Sequence, residues 1–301
     1  MSNNSWRQRA ELGNGFFVSL LVWLTALLPR PLLNLCLWFI SGYYLLVNRP
    51  ARQAALQYWQ QVQPQAGVMA LWRHFFIFAR VSVDRLIMLK QGCADFAVDF
   101  AADADVAQLK AVNSGGIFVV SHIGNFDVLR HGAQAEGLPA IKIVLDTRQN
   151  PQFLRLLTAY QPALINSIID VADGGYDLAL KLADAVAQGF WVGIMADRLQ
   201  GGEAAISLDF MGQTARVPIT PWQIASILAV PVYGCFGVFC GGNRYRIYLR
   251  KIADNLHAPR KERQALLQQK VHEYFLQVEA ILRQHPHNWF NFYEFWSHDD
   301  N

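Results

Sequence analysis

The chain has 301 residues, of which 53% are hydrophobic and only 16% charged, with a mean hydropathy of +0.15. Ordinary soluble domains carry about 25% charged residues, so disorder, a coiled coil and a fibrous repeat are excluded and the apolar surplus asks for a lipid partner. The net charge of +3 is uneven: residues 1–90 hold nine bases and two acids, or +7, and the remainder sum to −4.

The first elements are two uncharged runs of 18 residues, 12–29 and 31–48, with Pro29 and Pro31 at their junction. A spanning helix needs about 20 apolar residues, and proline breaks a helix. Residues 1–50 therefore read as a hairpin or short anchor sunk in one leaflet, with two buried core helices as the competing reading. Arg7, Arg9, Arg30, Arg49 and Arg52 stand at every junction, which gives no inside–outside asymmetry. A basic, apolar N-terminal third suits the anionic cytoplasmic face of a membrane. Nucleic acid is disfavoured, because these bases lie among Leu, Trp and Phe. Leu71–Lys90 follows, an aromatic helix punctuated by Arg73, Arg80, Arg85 and Lys90. It fits either an interfacial helix or a core helix with one solvated edge.

From residue 115 short apolar runs alternate with amphipathic segments. Strands are expected at Gly116–Ser121, Ala140–Leu145, weakly at Ile165–Ile169, and at Phe190–Ala196. Between them helices are expected over Asn125–Glu136, from Pro151, and over Tyr176–Ala187. A helix over Pro221–Ala229, paired strands at Pro231–Phe239 and Tyr245–Lys251, and a charged helix from Arg260 to Gln284 complete the order. This alternation predicts an α/β fold, a central mixed sheet flanked by helices, over residues 51–301.

Ligands of such sheets collect beyond the carboxyl ends of strands. The first strong strand ends at Ser121-His122-Ile123-Gly124-Asn125-Phe126-Asp127. That places an imidazole at a strand tip and a carboxylate in the first turn of the next helix. A carboxylate that holds one ring nitrogen leaves the other free as a general base. His131/Glu136 and His257/Glu262 share the spacing but not the strand-to-helix context, so His122 and Asp127 are the expected catalytic pair. Gly124 would allow a sharp turn and close approach of substrate, and Asn125 an N-cap. Backbone N–H groups of Gly124 and Asn125 could meet an oxyanion.

Other chemistries lack their signatures. The four cysteines form no CxxC pair and read as reduced thiols facing the cytosol. Neither HExxH, GxxxxGK nor a GxSxG elbow occurs, so no metal or other cofactor is expected. The serious rival is a non-catalytic lipid-binding or lipid-transfer protein, which has no need of both His122 and Asp127.

The segment VVSHIGNFD resembles the His-x4-Asp/Glu motif of the lysophospholipid-type acyltransferases, and residues 10–296 are similar to the lipid A late acyltransferase branch. Arg148 and Asn150-Pro151 resemble its Arg…Asn-Pro segment. Asp197, Gly201-Gly202, Phe210-Met211-Gly212 and Ala215 resemble its Asp…Gly…Phe-Phe-Gly…Ala segment, and Val230-Pro231 its helix-to-strand step. Arg198 stands where many relatives have Gln or His. The C-terminal HPHNWFNFYEFW resembles the ending of acyltransferases found with aryl-polyene lipid biosynthesis.

The resemblance implies acyl transfer from a thioester, on acyl carrier protein, to a hydroxyl of a membrane lipid. It implies a monomer at the cytoplasmic face of the bacterial inner membrane. His122 would be the base and Asp127 its partner, with Gly124, Asn125, Arg148, Asp197 and Arg198 near the substrates.

Overall fold

Every residue of Gly116–Val120 is buried, as expected of a strand that has neighbours on both edges and helices on both faces. A computed structural model describes residues 25, 27–148, 151–171, 175–199 and 202–296, with the side chain of Gln152 excluded. Three helices come first: α1 (Arg30–Val47), α2 (Arg49–Val62) and α3 (Val68–Gln91). The mixed α/β body follows, with β1 (Ala97–Phe100), α4 (Val106–Lys110), β2 (Gly116–Val120), α5 (Asp127–Ala135), β3 (Ile141–Leu145) and α6 (Pro151–Tyr160). Next come β4 (Ile168–Asp170), α7 (Gly175–Ala187), β5 (Trp191–Met195), β6 (Ala205–Phe210) and β7 (Gln213–Pro218). The last elements are α8 (Thr220–Leu228), β8 (Val232–Phe239), β9 (Arg244–Ala253) and α9 (Arg260–Gln284).

Seven strands form one sheet in the order β1-β9-β8-β2-β5-β3-β4. The run from β8 to β4 is parallel, and β9 turns back antiparallel to β8 with β1 parallel to it. Side chains alternate across the sheet. Ile117, Val119, Val192 and Ile194 face a core shared with α9 through Val271, Phe275 and Val278. Phe118, Val120 and Trp191 face the opposite core, shared with α3 and α5 through Val81, Ile87 and Val128. The helix expected over Leu71–Lys90 is thus largely a core helix.

Two elements differ from expectation. The stretch before β4 is a 3-10 turn, Pro162–Ser167, so the strand begins only at Ile168. The hairpin β6–β7 stands apart as a two-stranded sheet, closed at Met211-Gly212, where both residues have positive φ (56° and 84°). That backbone suits a two-residue turn whose twist matches the strands.

The proline break between the apolar runs is where α1 begins, with Pro29 at its N-cap. Most of the run 12–29 lies outside the described residues. Helix α1 docks on α3: Trp38 stacks on Trp72 at 4.9 Å, and Trp72 Nε1 donates to the Trp38 carbonyl at 2.8 Å. Its opposite stripe, Leu32, Leu35, Phe39, Tyr43 and Leu46, is exposed. Among the described residues this is the one helix long and apolar enough to cross a membrane.

Candidate active site

Parallel pairing of β2 with β5 sets Val120 opposite Met195. Two residues further along each chain, past the strand ends, lie His122 and Asp197. Sheet register therefore delivers an imidazole and a carboxylate to the same point. His122 Nδ1 is 2.8 Å from Asp197 Oδ1, and the His122 backbone N–H donates to Asp197 Oδ2 at 2.9 Å. The carboxylate is fully buried while the imidazole is 28% exposed.

Burial alone would raise the Asp197 carboxyl, but the charge and hydrogen bonds of His122, with the nearby Arg198, hold it at about 2. An ionised carboxylate can only accept, so Nδ1 carries a proton and directs it at Asp197. Nε2 makes no hydrogen bond among the described residues, so in a neutral ring its lone pair is unused.

The far side of Asp197 is held by the C-terminal segment. Trp289 Nε1 and Asn291 Nδ2 donate to Oδ2 at 3.3 and 2.9 Å, and the Tyr293 hydroxyl donates to the Asp197 carbonyl at 3.3 Å. The same segment pairs with the exit of β2, where the Phe290 N–H donates to the His122 carbonyl at 2.8 Å. Trp289 is itself fixed from the N-terminal helices. Trp59 Nε1 donates to His74 Nδ1 at 3.1 Å, so His74 Nε2 carries the proton and donates to the Trp289 carbonyl at 2.7 Å. Burial drives the His74 pKa down to about 3 and keeps that ring neutral.

Asp127 is placed differently from the sequence expectation. No hydrogen bond joins it to His122. Its Oδ2 accepts from Arg85 Nε at 2.8 Å. Burial works against ionisation here, but the charges of Arg85 and Arg130 outweigh it and lower the pKa. The reason lies in geometry: Asp127 is the first residue of α5, and that helix packs beside α3, whereas His122 remains at the strand tip next to β5.

Gly124 and Asn125 build the turn between β2 and α5. Gly124 has φ +58°, and a Cβ there would meet the Gly237 carbonyl oxygen at 2.1 Å. Its N–H donates to the Asn288 carbonyl at 2.8 Å, and the Asn125 N–H to the Gly237 carbonyl at 2.7 Å. Both amides are spent, so neither of these two is a free oxyanion donor. The Asn125 side chain is wholly buried; its Oδ1 accepts from the Asp127 N–H at 2.9 Å, a local turn bond, while the N-cap position itself falls on Phe126 and not, as expected, on Asn125.

Arg148 is exposed in the loop after β3, with Nε 3.2 Å from Asp146 Oδ1; Asn150 lies outside the described residues. Arg198 lies beside the pair, stacked over the Tyr293 ring at 5.1 Å and donating to Asn291 Oδ1 at 2.8 Å. Its Nε is buried without a partner among the described residues. No group of three His, Cys, Asp or Glu side chains suited to a metal ion occurs among the described residues.

An ionised, buried carboxylate on Nδ1 with an open Nε2 is the arrangement that lets an imidazole take a proton from a hydroxyl. No curated protein matches the chain. The family described as bacterial lipid A biosynthesis acyltransferase, by contrast, matches residues 5–298, which include the whole sheet, His122, Asp197 and the C-terminal strap. The chain belongs to that acyltransferase family.

Proposed function

We propose that this protein is an O-acyltransferase that moves a fatty acyl chain from a thioester, carried by acyl carrier protein, to a hydroxyl of a membrane lipid. The observation that carries the reading is the His122–Asp197 pair with its open Nε2. His122 Nε2 takes the proton of the acceptor hydroxyl as its oxygen attacks the thioester carbonyl. Asp197 stabilises the imidazolium that forms. When the tetrahedral intermediate collapses, the C–S bond breaks and the imidazolium returns the proton to the departing thiolate. The products are an ester and a free thiol, so no residue of the protein needs to form a covalent bond and no cofactor enters.

Membrane attachment belongs to the same reading. The exposed stripe Leu32, Leu35, Phe39, Tyr43 and Leu46 recurs at helical spacing on α1, opposite the face docked on α3. Arg49 and Arg52 lie just past its C-terminal end. Such a helix suits the cytoplasmic leaflet, body outward and apolar stripe inward. The C-terminal aromatic segment, whatever acceptor it serves, acts first as the support of Asp197.

The test is transfer of radiolabelled dodecanoyl groups from acyl carrier protein into a bacterial lipid extract, with the free thiol measured in parallel. General-base catalysis is worth about 10²–10⁴-fold, so His122→Ala lowers transfer by that order, while His257→Ala, on an exposed loop, matches wild type. A fully active His122→Ala protein would overturn the mechanism.

A further inference from the structure

Helix α5 leads away from the imidazole along the wall of a cleft of about 130 Å³. The other walls are the C-terminal half of α3 and the end of α6. Arg85, Asp127, Arg130, His131, Gln134 and Gln161 are its polar lining. Two guanidinium groups face one carboxylate, so the lining carries a net +1 with His131 neutral. Cys93 adds no negative charge, because burial raises its thiol pKa.

The two arginines are used unequally. Arg85 places Nε on Asp127 and stacks over Phe153 at 5.4 Å, which leaves its terminal nitrogens without a hydrogen bond among the described residues. Arg130 is half-buried and makes no hydrogen bond among the described residues, although its charge is felt by Asp127. A guanidinium offers five N–H donors in a planar fork. The fork matches the oxygens of a phosphate, and the open cleft has room for that group.

We propose that this cleft receives a singly charged phosphate ester carried by one of the two substrates, with Arg130 as the principal donor and Arg85 as the second. The proposal rests on the acyl-transfer reading. Both a phosphopantetheine thioester and a glycerophospholipid carry a phosphate and a long chain on one molecule, so binding the phosphate beside α5 would bring the reacting group toward the strand tip. Asp127 gains a purpose of its own: it fixes Arg85 and cuts the lining from +2 to +1, which matches one negative charge.

Calorimetric titration of the detergent-solubilised full chain tests this with two pairs of probes. One pair is the methyl phosphodiester of 4′-phosphopantetheine, which carries one charge, and pantetheine. The other is dihexanoylphosphatidylglycerol and dihexanoylglycerol. Wild type is expected to bind the phosphate member of one pair at least tenfold more tightly than its phosphate-free counterpart, and that pair names the source. Arg130→Gln should remove the preference, Arg130→Lys should restore part of it, and Arg216→Gln, an exposed arginine on β7, should leave it intact. If Arg130→Gln does not fold, Arg85→Gln carries the same expectation.

No preference in either pair, or a preference that survives Arg130→Gln, overturns the proposal. His122→Ala should keep the phosphate preference while losing turnover. Turnover that survives in His122→Ala alongside an intact preference would instead strike the acyl-transfer mechanism and leave the binding site standing.

Discussion

In an Asp197→Asn variant, one oxygen and one amide nitrogen must divide two unequal positions. Three donors converge where Oδ2 lies: the His122 N–H at 2.9 Å, Trp289 Nε1 at 3.3 Å and Asn291 Nδ2 at 2.9 Å. Only His122 Nδ1 meets Oδ1. The Asn carbonyl must take the crowded position, because an NH2 group there would face three donors. Its NH2 then points at Nδ1 and donates to it, so the ring proton moves to Nε2 and the base is lost. The comparable change in a serine-protease triad lowers kcat by about 10⁴, equal to about 5.4 kcal/mol of barrier. Asp197→Asn should lose acyl transfer by that order in a single-turnover assay, with an unchanged far-ultraviolet spectrum. A kcat within tenfold of wild type would refute the tautomer argument.

Three further outcomes are expected. Asp127→Asn leaves the Asp197–His122 pair whole, so its loss in kcat should be at least tenfold smaller than that of Asp197→Asn; equal losses would place Asp127 on the imidazole after all. His74 is pushed down to about 3 mainly by burial, from 6.5, so the unfolded chain binds the extra proton between those values and stability falls as pH drops from 6.5 toward 3. In that window the slope is up to about 1.4 kcal/mol per pH unit. His74→Phe should remove that share of the slope in urea melts at pH 7 and pH 5. It should also cost about 2–6 kcal/mol at pH 7, since the Trp59 N–H and Trp289 carbonyl lose their partners at 1–3 kcal/mol each. Gly124→Ala combines a positive φ with a clash at the Gly237 carbonyl and should destabilise by about 2–5 kcal/mol; a melt matching wild type would contradict the packing of the turn.

His122 was legible because GIFVV is a short, continuous apolar run, rich in β-branched residues, that ends in a polar cluster, a form that suits a buried parallel strand. Asp197 was legible as a strand-end acid, but its partnership was not. The two residues are 75 positions apart, and they meet only because β2 and β5 are neighbours, a fact of sheet order that no local pattern reveals. Asp127 drew attention because its five-residue spacing is visible in the chain, whereas a contact across adjacent strands is not. The hairpin β6–β7 escaped notice because Met211, a residue with a Cβ, adopts positive φ at its turn. The alternation of Ile206, Leu208 and Phe210 with Ser207 and Asp209 was its available signal. The aromatic ending could be read as packing, and Trp289 and Trp296 are indeed buried. Asn291, lying between aromatic residues, gave no hint that it would hold a carboxylate.

The strap that supports Asp197 also has a bearing on when the protein becomes active. Ribosomes deliver α1, α2 and α3 long before residues 289–293, so under the proposed membrane attachment the apolar stripe of α1 would reach lipid while the imidazole still lacks its oriented partner. Until Trp289, Asn291 and Tyr293 arrive, Asp197 lacks three of the donors that hold it in place. A chain interrupted upstream would then sit on a bilayer as an inert passenger. If the donor is the proposed acyl thioester, it would be safe from attack until synthesis had finished.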